Sequence, residues 1–377
     1  MAINSRQVTR IAHEVDRQLV AERDHQVEQF QAYQLAPQGA TRPALAVVQV
    51  DGGRLQLRGE GDGPGAHDAA WREDKVSMLA TAAVQTFTSD PEPDLPEGFR
   101  DRKYVEALVR GMGGVGPLSD SDPPAEDPPG AGPTAAEQDG QSRAHHAPEL
   151  WVRTYVASTC AGDAFGPMVA AEAERRHFRA ATHRVFVEDG AAWIWKLQRP
   201  YFPGFPAIVD IFHVLTPVFA AAQAAASAPA ACWALFQTWA EACWQGRVAH
   251  VIEQLHALRD EAESLSEAEA KSLPDTDPRT VLLQTLGYLE HNRDRMDYPR
   301  YRQEGLPMTS SYVESTVKRF NRRVKGTQKS WGEGGAEAIL HLRAAFLSED
   351  DHLERHLRTR PHSPFRTYRT RQNKKAA

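Results

Sequence analysis

Cysteine is scarce. Cys160, Cys232 and Cys243 are the only three in 377 residues, too scattered for a disulfide framework, and no C-x-x-C pair starts a zinc ribbon. A reducing, cytosolic setting is expected. No apolar run follows the first basic residue, Arg6, so a secretory signal is absent from these residues. Residues 211–240 hold no Asp, Glu, Lys or Arg, yet they are dominated by Ala and include Pro217, Gln223, Pro229 and Gln237. A spanning helix wants about 20 mainly large apolar residues, so buried or interfacial helices are the better reading. Charge of one sign is also lacking: 44 basic residues against 50 acidic leave a net charge of −6. With 41% apolar and 25% charged residues, the composition excludes wholesale disorder and a collagen-like chain. The length favours two domains, or one domain with a large insertion.

What is present falls into seven stretches. Residues 1–40 form a helical segment, with Val8, Ile11, Val15 and Leu19 at helical spacing. Residues 41–110 carry the first part of a core. An apolar strand ends at Asp51, a tight turn at Asp51-Gly52-Gly53 follows, a second strand alternates over 54–58, and a third antiparallel strand runs over 71–80. Residues 111–148 are Gly, Pro, Asp, Ser and Ala with almost no large apolar side chain, and are expected to be a disordered insert. Order resumes at Leu150, and residues 149–213 carry the second part of the core. There a helix is expected from Pro167 to His177, and two short apolar runs, ending at Asp189 and Asp210, read as parallel strands with a helix between them. Residues 214–305 are helical throughout, an all-helical insertion in which Asp277-Pro278 is an N-cap and first-turn pair. Residues 306–350 hold two closing helices, one from 309–311 and one from about Gly335 to Leu347. Residues 351–377, basic from Arg355 onward, are expected to be a disordered tail. The fold class is therefore α/β: a mixed sheet, three antiparallel strands then parallel ones, interrupted by helices.

Three acids stand out: Asp51 and Asp189 at strand ends, and Glu314 on the helix after the insertion. Carboxylates so placed can hold two Mg²⁺ ions about 3.5 to 4 Å apart, an arrangement that activates a nucleophile and stabilises a leaving oxygen in phosphodiester chemistry. Each acid also has a plainer reading. Asp51-Gly52 is a hairpin signal, Asp189-Gly190 a strand-to-helix turn, and Ser311-x-x-Glu314 a capping box. Order and context favour the acid site. From Glu314 to Lys329 there are six basic residues, Lys318, Arg319, Arg322, Arg323, Lys325 and Lys329, against one acid. Such a stripe suits phosphates, or else a solvated helix face. Asp210 and His213 lie about one helical turn apart, where a capping Asp and a core His are the default. Trp193, Trp195, Trp233, Trp239 and Trp244 are most economically core packing, with base stacking as the alternative.

The segments Asp51-Gly-Gly, Glu188-Asp189-Gly190-Ala-Ala-Trp-Ile-Trp195, Asp210-Ile-Phe-His213, and the run from Leu306 through Glu314 to Gly326 resemble a bacterial insertion-sequence transposase of the DDE type, related to Mutator-like enzymes. The resemblance covers residues 5–350. It implies an RNase H-like fold whose last catalytic helix follows the helical insertion, with Asp51, Asp189 and Glu314 as catalytic residues and ligands of two Mg²⁺ or Mn²⁺ ions. Asp210 and His213, matching a short C/D-x-x-H motif, would assist. The implied partners are double-stranded DNA, as transposon ends and target, and further copies of the chain assembled on it. No membrane is implied, and the implied location is the bacterial cytoplasm, beside the nucleoid. Relatives carry an N-terminal zinc-binding or helix-turn-helix region that these residues lack, so a truncated, non-catalytic DNA-binding or transposase-assembly protein is the alternative.

Overall fold

Six consecutive residues, Leu45 to Val50, are buried, which requires a strand covered on both faces. In the computed structural model, which describes residues 4–38, 41–57, 70–112, 148–261, 273–324 and 331–360, this strand is the centre of a five-stranded mixed sheet. The strands are β1 (Leu45–Leu57), β2 (Ala70–Ala82), β3 (Leu150–Ser158), β4 (His183–Glu188) and β5 (Ala207–Val209), in the order β3-β2-β1-β4-β5. β1 to β3 pair antiparallel, while β4 lies parallel to β1 and β5 parallel to β4.

The turn expected at Asp51-Gly52-Gly53 is not there. β1 runs straight through it, pairing Asp51 with Val76, Gly52 with Lys75 and Gly53 with Asp74. A two-residue hairpin needs positive φ at its centre, and neither glycine has it. Gly53 serves close approach instead, since a Cβ there would lie 2.6 Å from Asp74 Oδ1. The expected second strand is thus the far half of β1, the expected third strand is β2, and the third antiparallel strand is β3. Residues 41–110 therefore hold two strands, not three. The outer edge of β3 is covered by the end of a later helix: Tyr155 N–H donates to Ser348 Oγ (3.1 Å) and Arg153 N–H to Glu349 Oε2 (3.0 Å).

Helices cover both faces. α1 (Ser5–Gln31) opens with a reciprocal Asn4–Gln7 capping box and buries Val15 and Leu19. α2 (Arg102–Gly111) precedes β3. α3 (Gly162–Arg175) starts five residues before the expected Pro167, where Asp163 complements the positive helix end, so the proline lies inside the helix. α4 (Ala192–Tyr201) makes the crossover between β4 and β5. The expected helical insertion comprises α5 (Ile211–Ala225), α6 (Pro229–Trp244), α7 (Val248–Glu261), α8 (Pro278–Asn292) and α9 (Tyr298–Gln303). Its attachment to the body includes Arg302, fully buried, whose Nε donates to Asp90 Oδ1 (2.7 Å) and whose guanidinium stacks on Trp244 at 4.3 Å. Trp195, Trp239 and Trp244 are buried, as core packing requires.

α10 (Ser311–Val324) then lays Val313, Val317 and Phe320 on the core, and α11 (Glu333–Leu347) packs against β3. The tail expected to be disordered from residue 351 begins instead with α12 (His352–Thr359). Leu353 and Leu357 give it an i, i+4 stripe, Glu354 in its first turn and Arg358 in its last suit the helix dipole, and His356 reaches Gln18 on α1 (3.1 Å). Residues 361–377, and 113–147 of the expected disordered insert, lie outside the described residues. Among those described, no helix is long and apolar enough to cross a membrane.

Candidate functional site

The site is assembled where the parallel pairing of β1 and β4 ends, midway along β1. β1 and β4 pair as far as Gln49 with Val187, and carrying that register two residues on sets Asp51 beside Asp189 on strands about 4.8 Å apart. By the two-residue period of a strand, Asp51 shares its face with Gln49. Gln49 is fully buried and clasps the start of α10: its Nε2 donates to Thr309 O (2.8 Å), and Val313 N–H donates to its Oε1 (3.2 Å). One residue past Val313 is Glu314. The same face of the sheet thus carries both aspartates and, through Gln49, the glutamate.

Each acid spends one oxygen on local structure. Asp51 Oδ1 accepts from Gly52 N–H (2.7 Å), and Asp189 Oδ1 from Ala191 N–H (2.8 Å). Glu314 Oε1 meets His213 Nε2 (3.2 Å) and Ser310 Oγ (3.0 Å). The local readings of Asp189 and Glu314 therefore hold in part: Asp189 does close the loop before α4, and Glu314 does bond a serine at the helix start. That serine is Ser310, not Ser311. Among the described residues, Asp51 Oδ2 and Glu314 Oε2 have no hydrogen-bond partner, which leaves them free for a ligand.

Electrostatics mark the three acids as mutually close. Burial, then the charges of Asp189 and Glu314, push Asp51 from 3.8 up to about 7, against the smaller opposing pull of Gly52 N–H and His213. Burial alone would lower His213, but the hydrogen bond to Glu314 and the charges of Asp210, Glu314 and Asp189 outweigh it and raise the imidazole to about 9. Burial likewise opposes ionisation of Glu314, yet His213, Ser310 and Lys318 hold it below the usual carboxylate range. Beside Asp189, Glu188 is fully buried, with Oε2 accepting from Gly190 and Ala191 N–H (2.7 and 3.1 Å). Burial and the adjoining Asp189 carboxyl raise it well above its ordinary value.

Asp210, His213 and Glu314 bring one ligand atom each within 4.8 Å of one another. Asp210, however, is fully buried and already accepts three hydrogen bonds: Oδ1 caps α5 through Phe212 N–H (2.7 Å), while Oδ2 accepts from Ser310 N–H (2.5 Å) and Ser310 Oγ (2.7 Å). This trio is a clasp that orients Glu314. Asp51 and Asp189 add oxygen donors, of the kind a hard divalent cation takes, and the charges of Asp189 and Glu314 both reach Asp51.

The expected basic stripe is only partly in view. Lys318 and Arg319 are exposed on α10, and the charge of Lys318 is felt at Glu314. Arg322 and Arg323 lie on the last turn of α10, with side chains outside the described residues, as are Lys325 and Lys329. Gln49, Ser310 and Tyr288, whose hydroxyl donates to Asp189 O (2.9 Å), went unnoticed in the sequence. Only Ser310 had a signal, its place in the Thr309-Ser310-Ser311 helix start. No protein-family model matches the chain, and no curated protein or solved structure matches it significantly.

Proposed function

We propose that this chain is an RNase H-like DDE transposase that cuts DNA at a transposon end and joins the freed end to target DNA. One observation carries the reading: an acid on the central strand lies beside the acid that follows the neighbouring parallel strand and within reach of the charge of a glutamate on the helix after an all-helical insertion, and burial together with those two charges raises Asp51 to about 7. The strand order, antiparallel at one side and parallel at the other, supports the same reading, as does the sequence resemblance.

Asp51, Asp189 and Glu314 would hold two Mg²⁺ or Mn²⁺ ions. Those ions would activate the attacking oxygen and stabilise the departing one. In the first step water adds to phosphorus and the bond to a 3′-oxygen breaks, that oxygen leaving as a 3′-hydroxyl. In the second, this hydroxyl attacks a target phosphodiester, so one P–O bond forms as another breaks. His213 and Ser310 hold Glu314 Oε1 and thereby aim Oε2 into the site. Lys318 and Arg319 offer charge to the DNA backbone.

The test is nicking of supercoiled plasmid DNA in Mn²⁺. Glu314→Gln is expected to cost about 10³-fold or more in rate while the far-ultraviolet circular dichroism stays that of the parent, since the amide keeps the shape and loses the charge. Cleavage retained in that variant excludes Glu314 as a ligand.

A further inference from the structure

The loop that carries Asp189 is short and turns through a glycine. Gly190 has φ of +97°, a conformation that a side chain resists, and the loop is held from two sides. From beneath, Glu188 Oε2 binds the Gly190 and Ala191 N–H groups. From above, Tyr288 Oη donates to the main-chain oxygen of Asp189 itself (2.9 Å), and its ring lies so close that a Cβ on Gly190 would come within 2.6 Å of Cε2.

Tyr288 belongs to α8, in the helical insertion, and α8 is fixed on both sides of it. Thr285 Oγ1 bonds Pro217 O (3.2 Å), and Trp195 Nε1 donates to Asn292 Oδ1 (3.1 Å). A second tyrosine of the insertion repeats the contact on the next strand: Tyr298, fully buried, donates to Val209 O (2.9 Å), immediately before Asp210. The insertion therefore grips the main chain at the ends of both β4 and β5, the two places from which the site's acids Asp189 and Asp210 emerge.

We infer that Tyr288 is a positioning residue, through which the helical insertion fixes Asp189 for metal binding. This rests on the metal site proposed above. Partners that orient a ligand from behind typically contribute 10- to 100-fold to metal affinity. Tyr288→Phe keeps the ring against Gly190 and removes only the hydroxyl, leaving the carbonyl of Asp189 free to turn.

The experiment is Mn²⁺ titration of the whole chain without DNA, followed by electron paramagnetic resonance of the free ion. Asp189→Asn is expected to weaken Mn²⁺ binding strongly and Tyr288→Phe about 10-fold. If Tyr288 acts through Asp189, the double variant binds Mn²⁺ no more weakly than Asp189→Asn alone. In plasmid nicking, Tyr288→Phe recovers at saturating Mn²⁺ with its KM for DNA unchanged, whereas Asp189→Asn does not recover. Should Tyr288→Phe fail to fold, Thr285→Val, which loosens the helix carrying Tyr288 without touching the Asp189 loop, is read in the same titration, with a smaller loss expected and parent-like affinity overturning the inference. Parent-like Mn²⁺ affinity in Tyr288→Phe, where Asp189→Asn is weakened, overturns the inference and leaves the metal site standing. Parent-like affinity in Asp189→Asn overturns the metal site and the inference with it.

Discussion

Two of the clusters of half-buried and buried acids among the described residues solve the same problem in opposite ways. Between β3 and α11, Glu337 is surrounded by donors: Ser158 Oγ, Thr159 N–H and Oγ1 (both 2.7 Å), and His341 Nε2 (2.8 Å), whose other nitrogen meets Asp16 (3.3 Å). Burial opposes ionisation there, but these bonds outweigh it and pull Glu337 from 4.5 down to about 2. Where β4 ends beside the middle of β1, Asp51 is half-buried with one backbone donor and two acids for neighbours, and it is pushed up to about 7. A fold that needed only stability would satisfy both. The Glu337 cluster is a joint between α11 and the sheet edge, and on the function proposed above the Asp51 cluster is where stability is given up to a ligand.

The comparison breaks first on pH. The folded chain keeps a proton on Asp51 up to about pH 7, while the unfolded chain releases it near 3.8. The folded state binds more protons in that window, so metal-free stability falls as pH rises through it, by about 2 to 4 kcal/mol. Urea unfolding of Asp51→Asn is expected to match the parent near pH 4, lose this slope, and exceed the parent near pH 8. With Mn²⁺ present the order near pH 8 reverses, since only the parent gains from the ion. Parallel curves for the two proteins would mean that burial and the neighbouring acids do not raise Asp51.

Glu337 has the opposite sign. Its folded value is depressed, so its contribution is complete above about pH 4.5 and is lost as pH falls toward 2. Glu337→Ala leaves His341, Ser158 and Thr159 without their shared acceptor and is expected to cost about 3 kcal/mol at neutral pH, with little effect on Mn²⁺ binding. Equal unfolding midpoints for parent and variant at neutral pH would remove the joint from the account.

Both acids of the contrast stood plainly in the sequence, but only one side of it was legible. The order strand-Asp, strand-Asp, insertion, helix-Glu was readable because burial runs and helical periods are local signals. Strand limits were not, because Asp51-Gly52-Gly53 suits a turn and a close strand contact equally, and the deciding partner, Val76 to Asp74, lies more than twenty residues away. The grip of Tyr288 on Asp189 and the clasp of Ser310 on Asp210 had no pattern to read, since a side chain reaching main chain or carboxylate across about a hundred residues has no period. α12 was missed for a related reason: its charged composition looks solvated, and what orders it, Gln18 and Glu22 on α1, sits at the other end of the chain.

The smallest expected effect separates the basic residues near the acid site from those elsewhere. Lys318 is exposed one turn from Glu314, and no acid is paired with it among the described residues, whereas Arg358 on α12 is paired with Glu354. If duplex DNA lies across the acid site, Lys318 neutralises a phosphate there and Arg358 does not. Lys318→Ala should then weaken DNA binding a few-fold for any sequence and reduce the slope of log K against log salt by about 0.9, while Arg358→Ala leaves that slope unchanged. Fluorescence anisotropy between about 50 and 200 mM salt reads both. Equal slopes for the parent and Lys318→Ala would move the DNA path off the first turns of α10, because one phosphate contact fewer has to appear in the salt dependence even where the change in affinity is small.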